Sequence, residues 1–256
     1  MSHPNLTALY TVTRREVARI LRIWGQTLVP PVITMTLYFL IFGQLIGRRI
    51  GDMGGFDYID YIVPGLVMMS VITNSYGNIS SSFFGAKFGR HVEELLVSPM
   101  PNWVILLGYV AGGVLRGLMV GVLVLAVAML FTHVRIPHPL VTFTTVLLGA
   151  TVFALAGFVN AVYAKKFDDI AIVPTFVLTP LTYLGGVFYS VQMLPPVAET
   201  LTHANPIFYI VNAFRFGLLG ISDVSLWVAY AVMLGLVVVL TSIALRLLYK
   251  GVGMRS

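Results

Sequence analysis

Apolar runs long enough to cross a bilayer recur along this chain, and they constrain its fold more than any motif does. A hydrocarbon core of about 30 Å takes about 20 helical residues at about 1.5 Å each. Six stretches of the 256-residue sequence qualify: roughly 28–47, 61–84, 103–131, 141–163, 170–188 and 224–248. Lipid offers the backbone no hydrogen bonds, so runs of this length must be helical. The fold class is therefore all-α integral membrane, with six transmembrane helices in a single domain spanning residues 1–256. Only 10% of residues are charged, against about 25% in soluble domains, which excludes a water-soluble globule. The fifth stretch, Ile170–Phe188, carries Pro174 and Pro180. Prolines are tolerated in membrane helices where neighbouring groups satisfy the freed carbonyls.

An even number of spans places both termini on one side. Eleven basic residues share that side: Arg14, Arg15, Arg19, Arg22, Lys87, Arg90, Lys165, Lys166, Arg246, Lys250 and Arg255. Four face the other way, Arg48, Arg49, Arg135 and Arg215, while Arg116 falls inside the third span. The positive-inside rule then makes both termini cytoplasmic. Net charge +6 and pI 9.7 could suggest nucleic acid. The clustering of these residues beside the spans points instead to the lipid bilayer as the partner, with no role for nucleic acid. The N-terminus lacks the short apolar region and small-residue cleavage site of a secretory signal, so the first span is expected to be retained.

Residues 6–24 read as an amphipathic helix. At 100° per residue, Leu9, Tyr10, Thr13, Val17, Ile20, Leu21 and Trp24 fall within about 60° of Leu6, and Arg14, Arg15, Glu16, Arg19 and Arg22 fill the remaining arc. Val12 and Ile23 are exceptions. This pattern suits a helix in the headgroup plane, acting as an anchor or also touching a cytoplasmic partner. The segment 86–101 is long enough for a short helix ending at Ser98-Pro99. It is either a solvated turn or an element that transmits motion from a soluble partner. Lys165-Lys166 fit the end of span four, and Asp168-Asp169 fit the head of span five. On the opposite face, 189–223 is too long for a turn. Its apolar pieces, bounded by Pro195-Pro196, Pro206 and Gly220, are too short to span, which suggests an external re-entrant segment.

Several polar residues lie within the spans. Ser70, Thr73, Asn74, Gly77, Asn78 and Ser81 share one side of span two, where they either pack against other helices or line a path. Gly113, Gly117 and Gly121 repeat at the four-residue spacing of close helix packing, more in keeping with contacts inside the chain than with a dimer seam. Arg116 is either a structural hydrogen-bond donor or faces a substrate. No catalytic constellation is present: there is no GxSxG and no Walker A sequence, and His91-Val92-Glu93-Glu94-Leu95 fails HExxH at its last position. The histidines are scattered, and no metal site is expected. The absence of cysteine excludes thiol chemistry.

A multi-part pattern runs from Leu178 to Arg215. It comprises Leu178, Leu181, Leu184-Gly185, Val187, Leu194-Pro195, then Pro206-Ile207-Phe208-Tyr209 and, five residues later, Arg215. This resembles the signature of bacterial ABC-2 type transporter permeases, with Gly185, Pro195, Pro206, Tyr209 and Arg215 at its fixed positions. VPPVITMTLYFLIFG in span one, YIVPGLVMMS opening span two and LTPLTYLGGVFYS in span five extend the likeness, which is to small stand-alone permeases related to drug-resistance and nodulation-factor export.

The resemblance implies the membrane subunit of an exporter in the bacterial inner membrane. It would pair with a second copy of itself and with two copies of a separate ATPase. Residues 6–24 would be the connecting helix and 86–101 the coupling helix, with Lys87, Phe88, Arg90, Glu93, Glu94, Leu95 and Leu96 meeting the ATPase. ATP and Mg would be bound by that partner, with no cofactor on this chain. Ser70, Asn74, Asn78 and Arg116 are candidate pathway-lining positions. The rival reading is a six-span secondary transporter or channel. Such a carrier would normally hold carboxylates within its spans, and these spans have none in their interiors.

Overall fold

The computed structural model describes residues 4–253, apart from the side chains of Gln44, Arg48 and Leu96. Helix α1 (Pro4–Arg22) is followed by a single turn, α2 (Trp24–Thr27), and by α3 (Val29–Tyr38). This last helix runs on as π-helix through Phe39–Ile46 into α4 (Gly47–Ile50). A two-residue hairpin then pairs β1 (Asp52–Met53) with β2 (Phe56–Asp57). Its turn residues Gly54 and Gly55 have φ of 62° and 82°, the left-handed geometry that such turns require and glycine adopts freely.

The rest is helical: α5 (Tyr58–Phe88), α6 (His91–Val97), α7 (Asn102–Ala128), α8 (Pro139–Tyr163), α9 (Phe167–Val173), α10 (Thr179–Tyr183), α11 (Pro196–His203), α12 (Pro206–Leu219) and α13 (Leu226–Lys250). Helix makes up 81% of the chain, and the tiny hairpin is the only sheet among the described residues, so the chain is all-α. Among the described residues, four stretches are long and apolar enough to cross a membrane: Trp24–Gly43, Asn102–Ala128, Pro139–Tyr163 and Leu226–Lys250. Helix α5 has 31 residues, ample length, but its Ser, Asn and Gly residues dilute its hydropathy. The proline-interrupted stretch gives only seventeen helical residues, Phe167–Tyr183. The six expected stretches thus reduce to four by length and apolarity together.

Among α7, α8 and α13, the most apolar helix is the least buried. The polar α5 lies at the centre, packed along α7 and α8, whereas only 17% of the apolar window of α13 is buried, against 61% for α8. Lipid supplies no hydrophobic drive between helices, so association relies on close packing and polar contacts. Glycines provide the approach. A Cβ on Gly113 would lie 2.7 Å from Ile79 and one on Gly121 2.8 Å from Val71, and Gly117 abuts Ser75. This confirms the glycine repeat as an internal α7–α5 seam. A second, unforeseen pair on α7 seats α1: Cβ atoms on Gly108 and Gly112 would meet Val12 and Glu16 at 2.5 and 2.6 Å.

Pro174 begins the π-helical turn Pro174–Leu178. It has no N–H to offer the carbonyl of Ile170, one turn back. Asn160 on α8 donates its side-chain amide to that carbonyl at 3.4 Å, so a neighbouring helix repairs the gap. At the head of α9, Asp169 accepts from the backbone N–H of Lys165 and Lys166 at 2.8 and 3.1 Å. These bonds hold its carboxyl below the usual range, the capping role anticipated for this acidic pair.

Candidate functional site

The most developed polar arrangement is a seam joining α1, α5 and α7. The sequence places the apolar face of α1 in the headgroup plane and Glu16 with the arginines on the remaining arc. Leu6, Tyr10, Leu21 and Trp24 are exposed, Ile20 of that apolar face is buried, and from the remaining arc Val12 and Glu16 are buried as well. Glu16 is only 2% exposed. Its carboxylate accepts from Ser82 Oγ at 2.6 Å and pairs with Arg19 at 3.1 Å and Arg15 at 3.5 Å. Arg19 also donates to Asn78 Oδ1 at 2.8 Å, and Arg15 donates to the Tyr109 hydroxyl at 2.6 Å. Burying a carboxylate is tolerable only when it is paired and hydrogen-bonded in this way. The clue in the sequence was a lone acid three residues before an arginine, opposite two glycines four residues apart; helical periodicity alone assigns such an acid to the wet face.

The four candidate pathway positions separate on inspection. Ser70, Asn74 and Asn78 are all buried. Ser70 donates to the Leu66 carbonyl, and Asn74 to that of Ser70. Arg116, half-buried at the middle of α7, donates to Asn74 Oδ1 at 3.1 Å. The same arc of α5 continues past them into the open. Thr73 and Ser81 are exposed, and Gly77 has nothing within 4 Å of a would-be Cβ. The polar stripe therefore straddles the edge of a packed seam, half bonded to α1 and α7 and half open.

At the end of the bundle where α5 stops, Lys87 donates to the carbonyls of Val162 and Ala164 at 2.7 and 2.6 Å, closing the C-terminus of α8. Gly253, beyond α13, lies at this same end against Val162 and Lys87. Arg90 then turns the chain with φ 60°, the only non-glycine in that region among the described residues. Helix α6 follows. It is anchored by buried Val92, with Leu95 partly covered and Arg90, Glu93 and Glu94 exposed. Phe88 is exposed and tilts against Phe167 at 5.2 Å. The Leu96 side chain lies outside the described residues. Of the segment 86–101, only His91–Val97 is a separate helix.

The signature residues converge on the opposite end. Gly185 lets Ile207 approach, since a Cβ there would lie 2.8 Å from its Cγ2. Pro195 precedes α11, and Pro206 opens α12 behind Asn205, whose Oδ1 accepts from Ile207 N at 3.0 Å. Tyr209 donates to the His203 carbonyl at 2.8 Å. Arg215 is wholly buried: it donates to the Gly186 carbonyl, lies 4.2 Å above the Tyr61 ring and faces Asp223 at 3.9 Å. A cavity of about 480 Å³ adjoins it, lined also by Asp52, Ser190 and Ser222. Each signature residue thus shapes the fold of Tyr189–Asp223 and its attachment to α5.

Comparison with known proteins places this architecture. A family model described as "ABC-2 type transporter" matches residues 7–219, from the first turn of α1 to the end of α12. The "Inner membrane transport permease YadH" of Escherichia coli (strain K12) is 56% identical over 256 residues, covering 100% of both chains. "Nodulation protein J" of Neorhizobium galegae is 24% identical over 193 residues, 74% of each chain. Its counterpart in Sinorhizobium fredii is 26% identical over 181 residues, 70% of this chain and 68% of its own. The matched region contains both the α1–α5–α7 seam and the complete signature cluster, and the chain belongs to the ABC-2 type transporter family.

Proposed function

We propose that this chain is the inner-membrane permease subunit of an ATP-driven exporter, working as a dimer with two copies of a separate ATPase. The six stretches read from the sequence then all cross the bilayer: four by their apolarity, α5 as a polar helix sheltered by its neighbours, and Ile170–Phe188 with Asn160 repairing its proline break. Both termini lie in the cytoplasm, and Tyr189–Asp223 dips into the outer leaflet as paired short helices. The observation that carries the reading is the placement of α6. It is a short exposed rod joined through one left-handed residue to α5, beside the Lys87 clamp that ties α5 to α8. A push on α6 is thereby delivered to two packed helices at once, as a bistable membrane half requires. ATP and Mg would be held by the partner.

Within this reading the open half of the α5 stripe, Thr73, Gly77 and Ser81, lines the pathway beside Asn74 and Arg116, while Ser70 and Asn78 support it from behind. The test is purification of the chain from native membranes through a C-terminal tag. A stoichiometric soluble ATPase whose hydrolysis depends on this subunit is the expected result. A chain that reproducibly emerges alone, in detergents that preserve such complexes, would overturn the proposal. Reversing Glu93 and Glu94 to lysine should abolish ATP-coupled export while leaving the topology intact, and normal export by that variant would remove α6 from the coupling role.

A further inference from the structure

The α1–α5–α7 seam carries more positive charge than it can balance. Arg116 sits at mid-helix and makes no ion pair within 4 Å among the described residues; Asn74 Oδ1 is its one hydrogen-bond acceptor, and its buried Nε has no partner. The neighbouring guanidinium, Arg19, rests on Asn78, one helical turn or about 6 Å along α5 from Asn74. Glu16 is the only carboxylate paired in the seam, and Arg15, Arg19 and Ser82 already share it. The seam thus holds three guanidiniums and one carboxylate, and Arg116 does not reach that carboxylate. An unpaired arginine at the centre of a membrane helix is costly, so its presence calls for an anion from outside the chain.

The surroundings say where that anion would come from. Gly117 is pressed against Ser75, and Gly112 against Glu16, so α7 cannot roll to bring Arg116 to another acid. On the free side, Gly77 leaves open space and Thr73 and Ser81 present exposed hydroxyls. A planar guanidinium with an unused N–H edge suits bidentate capture of a phosphate or carboxylate.

The geometry points to an anion-binding site formed by Arg116 and Arg19 on the Asn74–Asn78 edge of α5, and to a phosphate- or carboxylate-bearing molecule as the ligand. The inference rests on the reading of this edge as part of the pathway and, where the ligand is the transported molecule, narrows the substrate to an acidic class. The binding test below needs neither ATPase nor export, so it can fail or succeed independently of that reading.

The test uses the full chain in phosphatidylcholine nanodiscs, titrated with dodecyl phosphate as an anionic amphiphile and inorganic phosphate as a soluble anion. Dodecyl maltoside, with the same tail and no charge, sets the baseline. Saturable binding of at least one anion is expected, weakened at least tenfold by Arg116→Gln and less by Arg116→Lys. Should Arg116→Gln fail to fold, Arg19→Gln, in the half-exposed part of the seam, gives the same comparison. Binding of inorganic phosphate marks a soluble ligand; binding of dodecyl phosphate alone marks an amphiphile. Competition by phosphatidylglycerol added to the discs then identifies a resident lipid headgroup, and its failure to compete a transported molecule. Either supports an anion site. Equal affinity in wild type and the arginine variants, placing the anion on the outer arginines of α1, would overturn the inference, as would no binding above the baseline.

Discussion

Gly112→Ala probes whether α1 is truly seated on α7. The added Cβ would lie 2.6 Å from Glu16 Cβ and 3.0 Å from its Cγ, whereas carbon atoms rest at about 3.5–4.0 Å. Helix α1 must therefore retreat by roughly 1 Å at its charged centre, a distance inferred from that contact range. Such overpacking destabilises by about 1–3 kcal/mol. The Arg19–Asn78 and Ser82–Glu16 bonds, 2.8 and 2.6 Å long, lengthen with it. The cheapest response is release of α1 rather than disruption of the bundle, so the effect is local. Hydrogen exchange of the protein in nanodiscs reads it directly. Amides of residues 12–22 should exchange about 5- to 150-fold faster, since each 1.36 kcal/mol corresponds to a factor of about ten. Helices α5 and α8 should keep their protection. Gly77→Ala is the control, because a Cβ there meets nothing. Wild-type protection of α1 in Gly112→Ala would refute the seating and, with it, the account of why Glu16 can be buried.

Arg215→Ala strands Asp223 and removes the tie to Gly186 and Tyr61. It should lower stability by about 3 kcal/mol, the low end for breaking a buried pair, seen as a reduced melting temperature and faster proteolysis within 189–195; an unchanged melting temperature contradicts the structural role. Asn160→Leu leaves the Ile170 carbonyl without its donor, costing about 1–3 kcal/mol. Pro174→Ala restores an N–H one turn away and should recover most of that loss in the double variant, so strictly additive destabilisation would count against the repair. Asp169 is a carboxylate with a lowered pKa, so its capping stabilises α9 above the ordinary carboxylate pKa and is lost as pH falls through the lowered value. Protection factors at 167–173, which remove the intrinsic pH dependence of amide exchange, should hold from neutral to about pH 4 and fall only below that, and Asp169→Asn should abolish this acid step.

Much of the architecture was legible because a bilayer demands long apolar helices. The stretch 103–131 became Asn102–Ala128, and 224–248 became Leu226–Lys250. The capping role of Asp169 and the close packing of the glycine repeat within the chain were equally readable, since each depends on residues close in sequence or on a strict spacing; that the repeat faces α5 was not. The seating of α1 was not. Periodicity sorted Val12 as a misfit on a wet arc, yet Val12 is the residue that fits over Gly108. Only tertiary contact, across almost a hundred residues, reverses that assignment. The stripe on α5 was visible as polar, but its division into a bonded half and an open half depends on where α1 and α7 end, which one-dimensional spacing does not encode. The signature near Arg215 was recognisable as a pattern before its physical meaning, a set of caps and close approaches, could be seen.

The distance in sequence between α1 and its seat also has a meaning in time. Val12 leaves the ribosome 96 residues ahead of Gly108, a lag of roughly 5–20 s at bacterial elongation rates of about 5–20 residues per second. Throughout that interval the helix has no groove to occupy, and when α5 (Tyr58–Phe88) is complete its neighbours α7 and α8 are still to come. Exposed Leu6, Tyr10, Leu21 and Trp24 form the kind of apolar edge on which amphipathic helices rest at a lipid surface. Within the proposed function, that edge would give the first-made helix a place to wait until α7 arrives, after which its other edge closes over α5.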